Sequence, residues 1–207
     1  DWYWWRPPRD GMTGGEPGAE PNNWGSVFGG SAWKWDATTA EYFLHLFTTK
    51  QPDLDWENPE VREAVYEMMR WWLDRGIDGF RMDVINFISK DTELPDGRVR
   101  AGGRFGNGMP HFVDGPRMHE FLAEMRRETT RDGRRDGSDR ELFWVGEMPG
   151  VTIENAVDYT DPANAEVDIV FQFEHVGVDH GRGGRFDVQP LRLTDLKTVM
   201  NRWQVGL

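Results

Sequence analysis

The sequence has 207 residues, with 36 acidic against 24 basic side chains and a formal net charge of -12. This length suffices for a domain with its own core, and the acidity disfavours nucleic acid or an anionic membrane surface as a partner. Without cysteine there is no disulfide framework and no thiolate metal site, so we expect a cytoplasmic location. No apolar run approaches the roughly 18 residues of a membrane span.

The first fifty residues are rich in Trp, Gly and Pro and show little periodicity before Tyr42–Phe47. We interpret residues 1–50 as part of a loop-rich inserted subdomain that closes with a strand. Its aromatic side chains can form a compact core or stack on sugar rings, and the sequence leaves both interpretations open. Because the chain starts at Asp1 without a methionine before Met12, we expect an internal piece of a longer chain.

A helix with strong boundary signals follows this segment. Asn58 is a typical N-cap, Pro59 suits the first helical position, and Gly76 suits the left-handed residue that ends a helix. The apolar run Ile77–Val84 then predicts a strand, so helix passes into strand with almost no loop. This order is typical of a βαβ unit.

The remaining segments continue the alternation of helix and strand. We predict a long functional loop over residues 86–115, a helix from about Pro116 and a last helix capped by Thr194. The further predicted elements are a solvated turn at Thr129–Arg140 and strands at Leu142–Glu147 and Val167–Phe173. The fold class is therefore α/β, with residues 51–207 forming the central part of a (β/α)8 barrel, incomplete at both ends.

Two of the predicted strands end in a carboxylate. Arg81 precedes Asp83 by two residues, so in a strand both side chains share a face and the cation would keep Asp83 ionised, as a nucleophile requires. Glu147 follows the apolar Trp144 and Val145, which could raise its pKa and keep it protonated as a general acid. An acid and a nucleophile together are the pair used by retaining glycosidases.

The segments around these residues resemble known signatures. Gly79–Ile85 and Val145–Gly150 are similar to the second and third signature regions of the family 13 glycoside hydrolases, the α-amylase family. Gln51–Asp55 is similar to an extra signature of the oligo-1,6-glucosidase subgroup, with Asp55 in place of the usual Asn. Glu20–Ser26 and Leu44–Phe47 resemble the inserted domain of that subgroup.

The resemblance implies catalytic roles for Asp83 and Glu147 and places Arg81 among the substrate-binding residues. Asp83 would be the nucleophile that forms a covalent glucosyl-enzyme, with Arg81 as its ionic neighbour. Glu147 would protonate the leaving oxygen and then activate water.

The resemblance also implies residues that bind the substrate. Phe28 and Phe47 would line the pocket for the non-reducing glucose, close to Gln51. Val84 would favour α-1,6 linkages, because Ala or Thr at this position accompanies α-1,4 preference in the subgroup. We therefore expect an enzyme that releases terminal α-1,6-linked glucose from short isomalto-oligosaccharides.

Other family features are absent from this sequence. The first signature and the fourth, which contains the His-Asp pair of the transition-state stabiliser, are not found, and His175 and His180 lack the context of that pair. No metal ligand is assigned, because the subgroup's site for structural calcium or magnesium would precede Asp1. We expect no cofactor in this segment, a small oligosaccharide as the partner, and a monomer.

Several alternatives remain open. Trehalose-6-phosphate hydrolase, α-1,4-glucosidase and sucrose isomerase belong to the same family. A phosphorylated substrate would require basic side chains, for which Arg98, Arg100 and Arg104 are candidates. Outside the enzymes, the amylase-like heavy chains of amino-acid transporters act as partner subunits without activity. The segment by itself would have too few strands to close a barrel.

Overall fold

A computed structural model describes residues 1–130 and 141–207. Residues 131–140 of the predicted solvated turn at Thr129–Arg140 therefore lie outside the described residues. The helices are α1 (Pro59–Leu73), α2 (Met109–Phe112), α3 (Met118–Thr130), α4 (Ile153–Thr160) and α5 (Leu193–Gly206). The strands are β1 (Trp5–Arg6), β2 (Trp33–Asp36), β3 (Glu41–Leu44), β4 (Gly79–Met82), β5 (Arg98–Val99), β6 (Gly106–Asn107), β7 (Phe143–Glu147), β8 (Ile169–Phe171), β9 (His180–Gly181) and β10 (Gly184–Val188). In the described ranges, no helix is both long and apolar enough to cross a bilayer.

The chain divides into two compact units. Unit 1 comprises Asp1–Met68 and Phe87–Met118, and unit 2 comprises Met69–Asn86 and His119–Leu207. Unit 1 contains an antiparallel sheet in the order β1-β3-β2 and the separate hairpin β5-β6. Trp4 and Trp24 are 1% and 0% exposed, so these two aromatic residues belong to the core of the unit.

The boundaries of α1 agree with the local sequence signals. The side-chain oxygen of Asn58 accepts a hydrogen bond from the backbone N–H of Glu60 at 2.9 Å, which confirms Asn58 as the N-cap. After the helix, Gly76 has a φ of 92° and its N–H donates to the Leu73 carbonyl at 2.9 Å. The predicted left-handed terminator is therefore confirmed.

Unit 2 is built on a parallel sheet in the order β4-β7-β8. Helix α3 lies between β4 and β7 in the chain, and α4 lies between β7 and β8. The sequence analysis did not identify α4, although Thr152 caps it by accepting a hydrogen bond from the N–H of Asn155 at 3.2 Å. These elements give two consecutive βαβ units, the arrangement that presents strand ends on one edge of a sheet.

Several predicted boundaries are wrong. Strand β4 begins at Gly79 and not at Ile77, and β8 spans Ile169–Phe171 and not Val167–Phe173. Strand β4 ends at Met82 and not at Val84, because Val84 has a φ of 45° and leaves the extended conformation. Thr194 does not cap α5: the helix begins at Leu193, Arg192 is the N-cap, and the Thr194 hydroxyl lies 3.3 Å from a carboxylate oxygen of Asp195.

Candidate active site

The register of β4 and β7 places two carboxyl groups side by side. Met82 pairs with Gly146 in this parallel ladder, so Asp83, just past β4, and Glu147, the last residue of β7, lie at the same end of the sheet. Asp83 is highly exposed, with 74% of its side chain accessible, whereas the Glu147 side chain is only 14% accessible. The two carboxyl groups thus share a location but differ in solvation.

Arg81 holds both carboxyl groups. One terminal nitrogen of its guanidinium donates to Asp83 Oδ1 at 2.5 Å, and the other donates to Glu147 Oε2. The planar guanidinium presents its donors in a fixed geometry, so two separate contacts restrict the relative position of the two acids. The predicted pairing of Arg81 with Asp83 is confirmed. The contact of Arg81 with Glu147 was not predicted from the sequence.

The two carboxyl groups have opposite pKa shifts. A hydrogen bond from Glu147, followed by one from Arg81, lowers the pKa of Asp83 below its usual range. Burial raises the pKa of Glu147, and the hydrogen bond to Asp83 raises it further. Of the two, Asp83 is therefore the more readily ionised and Glu147 the more readily protonated. Both directions agree with those expected from the sequence.

Val84 contacts this pair through its main chain. Its backbone N–H donates a hydrogen bond to Glu147, and its φ of 45° is unusual for a β-branched residue. Strained backbone of this kind concentrates at functional sites. The role predicted for Val84 involves only its side chain. Its backbone donor could not be predicted, because no sequence pattern indicates a left-handed valine.

The other predicted substrate-binding residues lie in unit 1. The rings of Phe28 and Phe47 pack edge to face with centroids 5.5 Å apart. Phe28 is 60% exposed, and Phe47 is half-buried. Gln51 is exposed, and its backbone N–H donates to the Thr48 carbonyl at 2.9 Å. The structure thus brings Phe28 and Phe47 together and leaves the Gln51 side chain at the surface of the same unit.

Paired carboxyl groups with opposite pKa shifts, at the carboxyl ends of adjacent parallel strands, form a candidate acid and nucleophile of the type found in barrel glycosidases. Comparison with known families agrees with this description. Residues 1–207 match the family described as "Alpha amylase, catalytic domain". The chain belongs to the alpha-amylase family.

Individual relatives cover the chain but extend well beyond it. An oligo-1,6-glucosidase of Parageobacillus thermoglucosidasius is 53% identical over 207 residues, which are 100% of this chain and 34% of that protein. A crystal structure of trehalose-6-phosphate hydrolase from Bacillus licheniformis has a TM-score of 0.84 and 41% identity, covering 99% of this chain and 34% of the other. The crystal structure of isomaltulose synthase from Erwinia rhapontici NX5 has a TM-score of 0.82 and 31% identity, covering 99% of this chain and 34% of the other.

The chain thus spans about a third of the length of these relatives. Their similarity confirms the predicted fold class, because the alpha-amylase family and its solved members are (β/α)8 barrel proteins and this chain covers part of the barrel.

Proposed function

We propose that this chain provides the nucleophile and the general acid of a retaining α-glucosidase. The proposed substrate is the terminal α-1,6-linked glucose of short isomalto-oligosaccharides. Asp83 is the nucleophile, Glu147 is the acid and base, and Arg81 orients both. The observation that carries this proposal is the pair of contacts from one guanidinium, that of Arg81, to Asp83 and to Glu147.

The proposed reaction has two displacements at the anomeric carbon. In the first, an oxygen of Asp83 forms a bond to that carbon while the glycosidic C–O bond breaks and Glu147 transfers its proton to the leaving oxygen. In the second, Glu147 takes a proton from water, whose oxygen replaces Asp83 at the anomeric carbon. The raised pKa of Glu147 and the lowered pKa of Asp83 suit these protonation states.

The shared contact of the two acids with Arg81 favours retention over inversion. Inverting enzymes separate their carboxyl groups by about 6.5 to 9.5 Å to admit a water molecule, whereas retaining enzymes use about 5 to 5.5 Å. Two carboxyl groups bound by one guanidinium, as Asp83 and Glu147 are, suit the shorter of these separations.

The stereochemistry of the product tests this assignment. The protein that carries this chain, at the full length its gene encodes, would be followed by proton NMR during isomaltose hydrolysis. We expect α-glucose as the first product, with the β-anomer appearing only through mutarotation. Initial release of β-glucose would reject Asp83 as a nucleophile, and the absence of any glucose would reject the proposed function.

The proposal includes the substrate pocket. We assign the pocket for the non-reducing glucose to Phe28, Phe47 and Gln51, and the α-1,6 preference to Val84. The partly exposed rings of Phe28 and Phe47 support this assignment, because flat aromatic surfaces suit the C–H faces of a sugar. A cytoplasmic location belongs to the same proposal, since a chain without cysteine fits a reducing compartment.

Trehalose-6-phosphate hydrolysis is a second candidate, which one feature of unit 1 favours. A cavity of about 400 Å³ is lined by Arg98, Arg100 and Asn107 together with Val99 and Ala101, and guanidinium groups bind phosphate well. Turnover of trehalose 6-phosphate against isomaltose separates the two candidates. If this second candidate holds, trehalose 6-phosphate should be turned over in preference to isomaltose, and Arg98→Gln should weaken that preference. Neither result is expected otherwise.

A further inference from the structure

Lys90 is a fully buried cation in unit 1. Its residue exposure is 0%, and its Nζ atom lies 2.6 Å from a carboxylate oxygen of Asp53. The same ammonium group donates to the main-chain carbonyl of Phe87 at 2.8 Å. Lysine is almost never fully buried unless it is paired, because removing its charge from water is costly. The position of Lys90 therefore requires an explanation beyond packing.

Phe87 connects this buried cation to the surface through a series of aromatic contacts. Its ring, 6% exposed, stacks on Phe47 with centroids 6.1 Å apart and an interplanar angle of 15°. Phe47 in turn packs against Phe28 at 5.5 Å. We call Phe28, Phe47 and Phe87 the phenylalanine series. It runs from an exposed ring to a buried one whose own carbonyl is bound by Lys90.

The second partner of Lys90 lies near another proposed binding residue. Asp53 is two residues after Gln51, and its backbone N–H donates to the Leu44 carbonyl at 2.9 Å. One ammonium group thus binds the segment that carries Gln51 and the inner end of the phenylalanine series. Two hydrogen-bonded contacts from one buried group fix these two segments relative to each other.

We propose that Lys90 is a positioning residue for the glucose pocket, acting through the Phe87 carbonyl on Phe47 and Phe28 and through Asp53 on the Gln51 segment. The inference rests on the proposed function, because it assumes that Phe28 and Phe47 contact the sugar. Lys90 itself touches neither the sugar nor the reacting atoms in this proposal. Its effect is on substrate binding.

The main alternative is that Lys90 only neutralises Asp53. Two variants of the full-length protein separate these roles. Lys90→Met removes the charge and both contacts, leaving Asp53 unpaired. The double variant, which combines Lys90→Met with Asp53→Leu, removes both charges. Replacing a buried ion pair with apolar side chains often preserves stability. The double variant still lacks the hydrogen bond to the Phe87 carbonyl. Arg9→Met is a matched control in the same unit, because Arg9 also combines an ion pair, with Asp96, and a bond to a main-chain carbonyl, that of Glu20.

Kinetics on isomaltose and thermal unfolding are measured for each variant. We expect KM to rise about tenfold in both Lys90 variants with kcat nearly unchanged. A contact that binds the substrate and the transition state equally well affects KM alone when it is lost. Thermal stability should fall in Lys90→Met and recover in the double variant, and Arg9→Met should keep the parental KM. A parental KM in the double variant, or a loss confined to kcat, would overturn the inference.

Phe47→Ala provides the reference for the underlying assumption. If Phe47→Ala raises KM and the double variant does not, the pocket assignment stands and the role of Lys90 is rejected. If Phe47→Ala leaves KM unchanged, the pocket assignment fails and the inference about Lys90 fails with it. Raised KM in both Phe47→Ala and the double variant supports both proposals.

Discussion

Asp83 and Glu147 lie at the ends of two adjacent parallel strands, where both accept hydrogen bonds from the guanidinium of Arg81. The pKa of Asp83 is lowered and that of Glu147 is raised, so Asp83 ionises the more readily of the two and Glu147 keeps its proton to a higher pH. Arg81 binds both groups, so its positive charge offsets the remaining negative charge. This difference in pKa supports the proposed roles of Asp83 as nucleophile and Glu147 as acid.

The pH dependence of kcat/KM should follow these two shifts. The pKa of Asp83 is lowered, so the acidic limb should fall below the usual range of aspartate, and activity should persist until Asp83 is protonated. The pKa of Glu147 is raised, so the alkaline limb should lie above the usual range of glutamate, where Glu147 loses its proton. A pH profile on isomaltose with an alkaline limb at or below the ordinary glutamate range would contradict this assignment.

The same profile on an activated substrate is an internal check. An aryl α-glucoside with an acidic phenol needs no proton on its leaving oxygen, so its first displacement should not require protonated Glu147. We expect the alkaline limb to weaken for that substrate, while the acidic limb that depends on Asp83 remains.

Substitution of the two acids should separate their roles. Asp83→Asn removes the nucleophile with little change in volume, so hydrolysis of every substrate should be abolished while the fold remains. Glu147→Gln should reduce turnover of isomaltose by about 10² to 10⁴-fold and affect activated aryl glucosides much less. Glu141→Gln, which changes an exposed acid six residues before Glu147, is the control and should leave kcat/KM unchanged.

Two results would count against these roles. Substantial hydrolysis by Asp83→Asn would remove Asp83 from the chemistry. Equal losses on natural and activated substrates in Glu147→Gln would indicate that Glu147 does more than donate the proton.

The Val84 side chain should influence linkage preference. Val84→Ala removes the β-branched shape, and Val84→Thr keeps the shape but replaces a methyl group with a hydroxyl group. Both should raise maltose turnover relative to isomaltose, because Ala or Thr at this position accompanies α-1,4 preference in the oligo-1,6-glucosidase subgroup. The ratio of kcat/KM for the two disaccharides measures the effect. An unchanged ratio in both variants would reject the linkage argument, whatever happens to absolute activity.

Local features of the sequence predicted local features of the structure. Asn58 and Gly76 mark the limits of α1 because a helix end needs nearby groups to satisfy its backbone. Helix boundaries are harder to predict where neighbouring residues are similarly able to precede a helix. The sequence predicts Thr194 as the cap of α5, but the helix begins one residue earlier, at Leu193. Short motifs around Asp83 and Glu147 identified the candidate acids and the directions of their pKa shifts.

Features that depend on distant pairing could not be predicted. The register of Met82 with Gly146, which brings the acids together, joins strands separated by a helix. The positive φ of Val84 and the burial of Lys90 contradict the usual preferences of valine and lysine, so sequence pattern points away from both. Such departures from local preference are expected at functional sites.

Gly79 and Gly76 provide a matched test of the strand pairing that supports the acids. Both have positive φ, of 152° and 92°, but their surroundings differ. A Cβ at Gly76 would meet nothing within 4 Å, whereas a Cβ at Gly79 would lie 2.7 Å from backbone atoms of Phe143 in the paired strand β7. Gly76→Ala should therefore cost only the left-handed strain, about 1 to 2 kcal/mol.

Gly79→Ala should lower the free energy of unfolding by more, about 3 kcal/mol or above. The added Cβ would meet the backbone of Phe143, and neither backbone can move aside as a flexible side chain could. It should also reduce kcat, since moving β4 away from β7 displaces Asp83 relative to Glu147. Chemical denaturation and isomaltose kinetics on both variants measure the two effects. Equal losses of stability, or parental kcat in a folded Gly79→Ala variant, would show that the close approach of Gly79 to Phe143 does not control the spacing of the acids.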